Sequence, residues 1–177
     1  MSGSDPGDRR ALDHLFSVTY EELRRLAAAV RRSDPGASLT PTTLVNEAWL
    51  KLMASPSFVA TSPLHFKRIA ARAMRQVLIE AARRRHADKR GGHAVFVTFD
   101  EALDAAVSTE EELLALDLAL DQLTQLSPRQ AQMVECRFFG GLDIAETALL
   151  LEVSEATIER DWRAAKAWLA LQLRPAS

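Results

Sequence analysis

Arginines and threonines are the side chains with the most chemistry to offer in this chain. Lys67, Arg68, Arg72, Arg75, Arg83, Arg84, Arg85, Lys89 and Arg90 lie in one stretch with no helix breaker before Gly91-Gly92. Guanidinium and ammonium groups spread along a helix in this way are suited to the phosphates of a nucleic-acid backbone. A second set stands near the C-terminus, where Arg160 and Arg163 alternate with Ala156, Thr157 and Ala167. Small residues around two arginines make a face that can lie against a major groove. The third set is Thr40, Thr42 and Thr43, clustered at the start of a helical segment. Such hydroxyls cap free N–H groups or accept a phosphoryl group. Catalytic constellations do not stand out. Cys136 sits beside Val134, Phe138 and Phe139, the setting of a core thiol, and His14, His65, His86 and His93 are scattered without partners at metal-ligand spacing. The expectation is a non-enzyme that uses no metal and no cofactor.

These residues need helices to position them, and the sequence is marked for helices throughout. Leu12, Leu15, Phe16, Tyr20, Leu23 and Leu26 recur at helical spacing up to the turn Ser33-Asp34-Pro35-Gly36, predicting a helix over about 9–32. Thr40 followed by Pro41 is an N-cap with proline at the first helical position, and the stripe Leu44, Val45, Ala48, Trp49, Leu52 continues from it to about Met53. Ser62-Pro63 opens the long basic helix in the same manner. Residues 93–107 read as a linker, with a short apolar run from Ala94 to Phe99. Ser108 with Glu111 forms a capping-box signature for a fourth helix, and Ser127-Pro128 starts a fifth that ends at Gly140-Gly141. Asp143 then caps a short helix to Leu150, and Ser154 caps a last one to about Leu173, with Leu151–Val153 as the turn. Short helix, tight turn and longer helix is the layout of a helix-turn-helix. The fold class is therefore all-α, with two lobes.

Charge is balanced in total and uneven in place. The formal net charge is −2, yet residues 65–99 carry nine bases against two acids and residues 100–126 carry eight acids and no base. Such blocks predict two distinct surfaces, one attractive to phosphate and one repelled by it, and a boundary near residue 91. With 47% hydrophobic and 26% charged residues in 177, the chain is neither disordered nor fibrous. A single cysteine, a polar stretch from Met1 to Arg10 and no apolar run near the roughly 20 residues that span a bilayer predict a cytoplasmic protein with no membrane partner.

The segments LTPTTLVNEAWLKLM, FKRIAARAMRQVLIEAARRRHADKRGG and LSPRQAQMVECRFFGGLDIAETALLLEVSEATIERDWRAAKAWL follow one another with an acidic linker before the last. Their order resembles that of the extracytoplasmic-function group of bacterial sigma factors, over about residues 10–173. The resemblance implies an N-terminal sigma domain at 9–91 that binds the polymerase clamp and melts promoter DNA, and a linker at 92–111. It further implies a C-terminal helix-turn-helix domain at 112–174 that reads the upstream promoter element. Core RNA polymerase and promoter DNA are the implied partners. Carried over by motif, Phe66, Arg68, Arg72, Arg75, Arg83, Arg84 and Arg85 fall in the promoter-melting segment, and Thr157, Arg160 and Arg163 in the recognition helix. Here the chain has Glu159 and Asp161 where the family usually has basic residues, and Glu152 where it has a turn glycine. Angular counting puts Glu159 and Asp161 on opposite flanks of the groove face.

A larger departure lies in the clamp-binding segment. The family usually places acids just before it, whereas this chain has Thr40, Pro41, Thr42 and Thr43. The outward face of that helix holds Thr43, Asn46, Glu47 and Leu50, with Thr42 alongside, and is the expected polymerase contact. With threonines in place of acids, phosphorylation at Thr43, then at Thr42, is expected to supply the missing charge, while Thr40 serves as the N-cap. The candidate regulatory partners are a Ser/Thr protein kinase, because some branches of the group look like kinase targets, and an anti-sigma factor. The alternative function is a stand-alone helix-turn-helix transcriptional regulator, or an adaptor that has lost promoter activity; a repressor has no need of the basic lobe and the clamp-binding helix.

Overall fold

The computed structural model describes residues 6–30, 40–54, 62–87 and 110–173. They form seven helices: α1 Pro6–Val30, α2 Pro41–Ala54, α3 Pro63–Ala87, α4 Glu110–Leu126, α5 Pro128–Phe138, α6 Ile144–Leu151 and α7 Glu155–Gln172. No strand occurs among the described residues, and the protein is all-α. Of the expected linker at 92–111, residues 92–109, with the cap at Ser108 and the apolar run Ala94–Phe99, lie outside the described residues, and Glu110 and Glu111 already belong to α4.

Local chemistry accounts for the helix starts. Thr40 accepts the Thr43 N–H on Oγ1 at 3.1 Å, and its carbonyl accepts from Leu44 at 2.8 Å, so it caps α2 as its sequence context predicts. Ser62 receives the His65 N–H at 3.1 Å and does the same for α3. Ser127 occupies the cap position of α5 through its backbone only, its carbonyl accepting from Ala131 at 3.1 Å; its hydroxyl makes no cap bond, and Pro128 supplies the helical φ. Asp143 and Glu146 form a reciprocal capping box on α6, with bonds of 2.7 and 3.0 Å. Ser154 accepts the Thr157 N–H at the start of α7.

The core is continuous from Leu44 to Leu169, and α3 is its axis, touching α1, α2, α4, α5 and α6. On one side an aromatic chain joins the N-terminal helices: Phe16 lies 4.4 Å from Trp49 by ring centroids, and Trp49 lies 6.0 Å from Phe66. On the other, Ala71 of α3 meets the turn after α5. A Cβ on Gly140 would stand 2.8 Å from the Ala71 Cβ and 2.6 Å from the Cys136 carbonyl oxygen, so only glycine lets this turn come so close. Its neighbour Gly141 carries the left-handed φ of 62°. In the C-terminal part, Leu113, Leu116, Leu120 and Leu123 of α4 and Met133, Val134 and Phe138 of α5 close over Ile158, Ala165 and Leu169 of α7. Arg137 stacks on the Trp162 ring at 4.1 Å, fixing α5 on α7.

Candidate functional site

Three surfaces carry the residues singled out by their chemistry. The first is the outer face of α2. Thr42 and Asn46 are exposed, Thr43 and Glu47 are half-buried, and Leu50 is 66% exposed, while Leu44, Val45, Ala48 and Leu52 point inward. The first turn contains no acidic residue. The Thr43 hydroxyl lies 2.8 Å from that of Thr40, within the cap, whereas Thr42 stands outside this pair. Lys51 reaches Glu80 at 2.9 Å and ties α2 to α3.

The second surface belongs to α3, and the expected residues divide. Arg72, Arg83 and Arg84 are exposed, and Arg68 is half-buried. The side chain of Arg85 lies outside the described residues. Phe66 requires correction: its ring is 0% exposed, packed against Trp49 in the core, and has no surface to offer a base. The spacing that placed it near the basic residues does not reveal that it falls on the inward side of the first turn.

Arg75 is also turned away from solvent, its side chain 14% exposed. Nε donates to Asp117 Oδ1 at 2.8 Å, Nη1 to Glu135 Oε2 at 2.8 Å, and Nη2 to Asp121 Oδ1 at 3.0 Å and the Asp117 carbonyl at 3.1 Å. Burial opposes the charge of this guanidinium, but the hydrogen bonds to Glu135 and Asp117 outweigh it and raise the pKa above the ordinary arginine value. Arg83 approaches the other Asp117 oxygen at 3.4 Å. Lys67, buried in the same interface, donates to Glu146 Oε1 at 2.8 Å. The described part of the acidic block, from Glu110 on, does not form a surface apart from the basic one. Its residues Asp117 and Asp121 lie directly against Arg75 and Arg83.

The third surface is α7. Arg160 and Arg163 are exposed together with Ala156, Ala164 and Ala167, and Thr157 is half-buried, its hydroxyl 2.9 Å from Ser154 Oγ within the helix cap. Glu159 is exposed, as expected of a flank residue. Asp161 is not on a flank of the groove face; it is buried and accepts Arg129 Nε and Nη2 at 3.0 and 2.7 Å. Asp161 Oδ2 is thus directed at α5, while Oδ1 lies 3.7 Å from Arg160 Nε. The turn before α7 is made by Glu152 at φ 56°, ψ 43°, a left-handed residue in the position where glycine is expected.

A family model described as ECF sigma factor matches residues 1–175. The chain belongs to the ECF sigma factor family. No curated protein and no solved structure shows significant similarity to it. As an ECF sigma factor it is a transcription initiation factor that works with RNA polymerase on promoter DNA. No helix of the described residues is long and apolar enough to cross a membrane.

Within this ECF sigma factor the thiol is passive: burial, with Glu135 next and Arg68 partly opposing, pushes Cys136 up to about 12, so the thiolate is absent near neutral pH. Asp117, Asp121, Glu135 and the Arg129–Asp161 pair were not singled out as site residues by sequence reasoning. The one signal available was the juxtaposition of basic and acidic blocks, which fits complementary surfaces as well as separate ones.

Proposed function

We propose that this ECF sigma factor binds the polymerase clamp through the face of α2 formed by Thr43, Asn46, Glu47 and Leu50, and that threonine phosphorylation at its first turn activates it. The observation that carries the reading is the composition of that turn: exposed Thr42 and half-buried Thr43 occupy the place where the family usually has acids, and no acidic residue replaces them. A phosphate there adds about −1.5 to −2 charges and three acceptor oxygens at the positive end of the helix dipole, where negative charge is favoured. Thr42 is the more open target. Modification of Thr43 would displace its hydroxyl from Thr40 but leave the backbone cap bond in place. The activating partner is then a Ser/Thr protein kinase; an anti-sigma factor acting on the same face is the second form of control.

Promoter contact in this reading is divided between α3, through Arg68, Arg72, Arg75, Arg83, Arg84 and Arg85, and α7, through Thr157, Arg160 and Arg163. The domains are 9–91 and 112–174, with the acidic linker 92–111 between them. Exposure of Arg72, Arg83, Arg84, Arg160 and Arg163 supports this assignment. The test is affinity for purified core polymerase of the unmodified chain, the kinase-treated chain, and the Thr42→Ala, Thr43→Ala and Thr42→Glu variants. Gain of binding on phosphorylation, loss of that gain in the alanine variants and partial mimicry by Thr42→Glu are expected. Tight binding by the unmodified chain overturns the switch, and no binding by any form favours the stand-alone regulator.

A further inference from the structure

We infer that the carboxylates of α4 and α5 are an internal stand-in for DNA phosphate, holding the protein in a self-masked form in which α3 cannot take up the promoter. The inference rests on the reading that the basic residues of α3 contact DNA. Its basis is the geometry of Arg75. All three guanidinium nitrogens are occupied, by Asp117, Asp121 and Glu135, at distances of 2.8 to 3.1 Å. A carboxylate offers a guanidinium the same paired acceptor oxygens as a phosphate, so these partners and a DNA strand compete for one fork of donors.

The mask extends beyond one residue. Arg83 shares Asp117 while leaving most of its side chain in solvent, and Lys67 is held by Glu146 on α6 with 9% of its side chain exposed. Ion pairs therefore join α3 to three different helices that follow the linker. The closeness of Gly140 to Ala71 shows that the surfaces also meet in shape. Separation of these surfaces breaks the hydrogen bonds between Arg75 and its acids and returns those charges to water. Polymerase and promoter supply the replacement partners, so binding and opening are coupled. Arg72 and Arg84 stay outside the mask and provide an electrostatic first contact.

The experiment uses the full chain with spin labels at Ala54→Cys and Gln172→Cys, exposed positions on α2 and α7. Cys136 is buried and does not compete for label. Distances are compared between this chain and one that also carries Asp117→Asn, Asp121→Asn and Glu135→Gln. In parallel, the unlabelled proteins are titrated against a fluorescent duplex with a mismatch bubble at fixed ionic strength. A charge-matched control carries Asp8→Asn, Asp13→Asn and Glu21→Gln, all exposed on α1. The expected result is a longer, broader distance in the cluster variant and about tenfold tighter DNA binding, the gain produced if about nine-tenths of the parent is closed. The control keeps the parent distance and gains less.

Asp121→Asn alone, at a side chain 68% exposed, gives a smaller change in the same direction without disturbing the core, and decides the matter if the triple variant misfolds. An unchanged distance in the cluster variant, or an affinity gain no larger than that of the control, overturns the mask. Failure of the underlying functional reading shows separately: replacing the exposed Arg72 and Arg84 by alanine then leaves the DNA affinity of both the parent and the cluster variant unchanged, whatever the distances.

Discussion

Glu152→Gly is expected to stabilise the protein, and the size of the effect follows from backbone geometry. Glu152 ends α6 at φ 56°, ψ 43°, and is the non-glycine residue with positive φ among the described residues. The left-handed turn has a purpose: it lets the Glu152 N–H reach the Ala148 and Leu149 carbonyls and the Val153 N–H bond to Ala148 at 3.1 Å, satisfying carbonyls at the helix end. For a residue with a Cβ this conformation costs about 1–2 kcal/mol. Glycine removes that cost but adds about 0.5–1 kcal/mol of chain entropy to the unfolded state. The net gain is about 0.5–1 kcal/mol, which for a chain of this size raises Tm by roughly 1–4 °C. Calorimetry or a circular-dichroism melt measures it. Glu152→Ala keeps the Cβ and removes an acid from the unfavourable end of the α6 dipole, so it isolates the charge contribution, a few tenths of a kcal/mol. If the glycine variant melts no higher than the alanine variant, the turn does not store the strain inferred from its dihedral angles.

Four other outcomes are expected. Arg129→Ala and Asp161→Ala should show a coupling of about 1–2 kcal/mol in a urea-denaturation cycle, less than a fully buried pair because the arginine is half exposed. Replacing Arg83 and Arg84 by alanine should flatten the log–log dependence of promoter binding on salt by about 0.9 for each phosphate no longer neutralised, measured by fluorescence anisotropy. Arg160→Ala or Arg163→Ala should lower promoter-specific run-off transcription, by about 1–3 kcal/mol if the arginine is bidentate to a base, with core-polymerase binding unchanged. Cys136 should resist thiol reagents in the native state at pH 8. Because its folded pKa of about 12 lies above the ordinary thiol value of 9.0, stability is complete below pH 9 and declines as pH rises towards 12, as alkaline melts should show.

Helices and their boundaries were legible in the sequence because the information is local. Thr40-Pro41, Ser62-Pro63, Asp143 with Glu146, and Ser154 act within a few residues of themselves, and each starts a helix in the folded chain. The outward face of α2 was legible for the same reason: Leu44, Val45, Ala48 and Leu52 mark one stripe, and Thr42, Asn46 and Leu50 are what remains. The family too was visible in the order of the segments, and the match over residues 1–175 agrees with it.

Which faces of α3 are buried could not be read in this way. The basic residues marked α3 as a surface helix, but Ala71, Arg75 and Ala82 are turned into its contacts with the helices that follow. Alanine suits surface and interior equally, and an arginine in the pattern argues for solvent until its counter-charges are found. Those counter-charges are 42, 46 and 60 residues further along the chain. No helical period connects positions so distant; only the packing of α4 and α5 on α3 brings them within hydrogen-bond reach. Asp161 teaches the same lesson in smaller compass: its place on the helical wheel says which way it points, and Arg129, from another helix, determines that it points into a partner rather than towards DNA. Periodicity assigns each side chain a direction from its own axis, whereas what lies in that direction depends on how the axes pack.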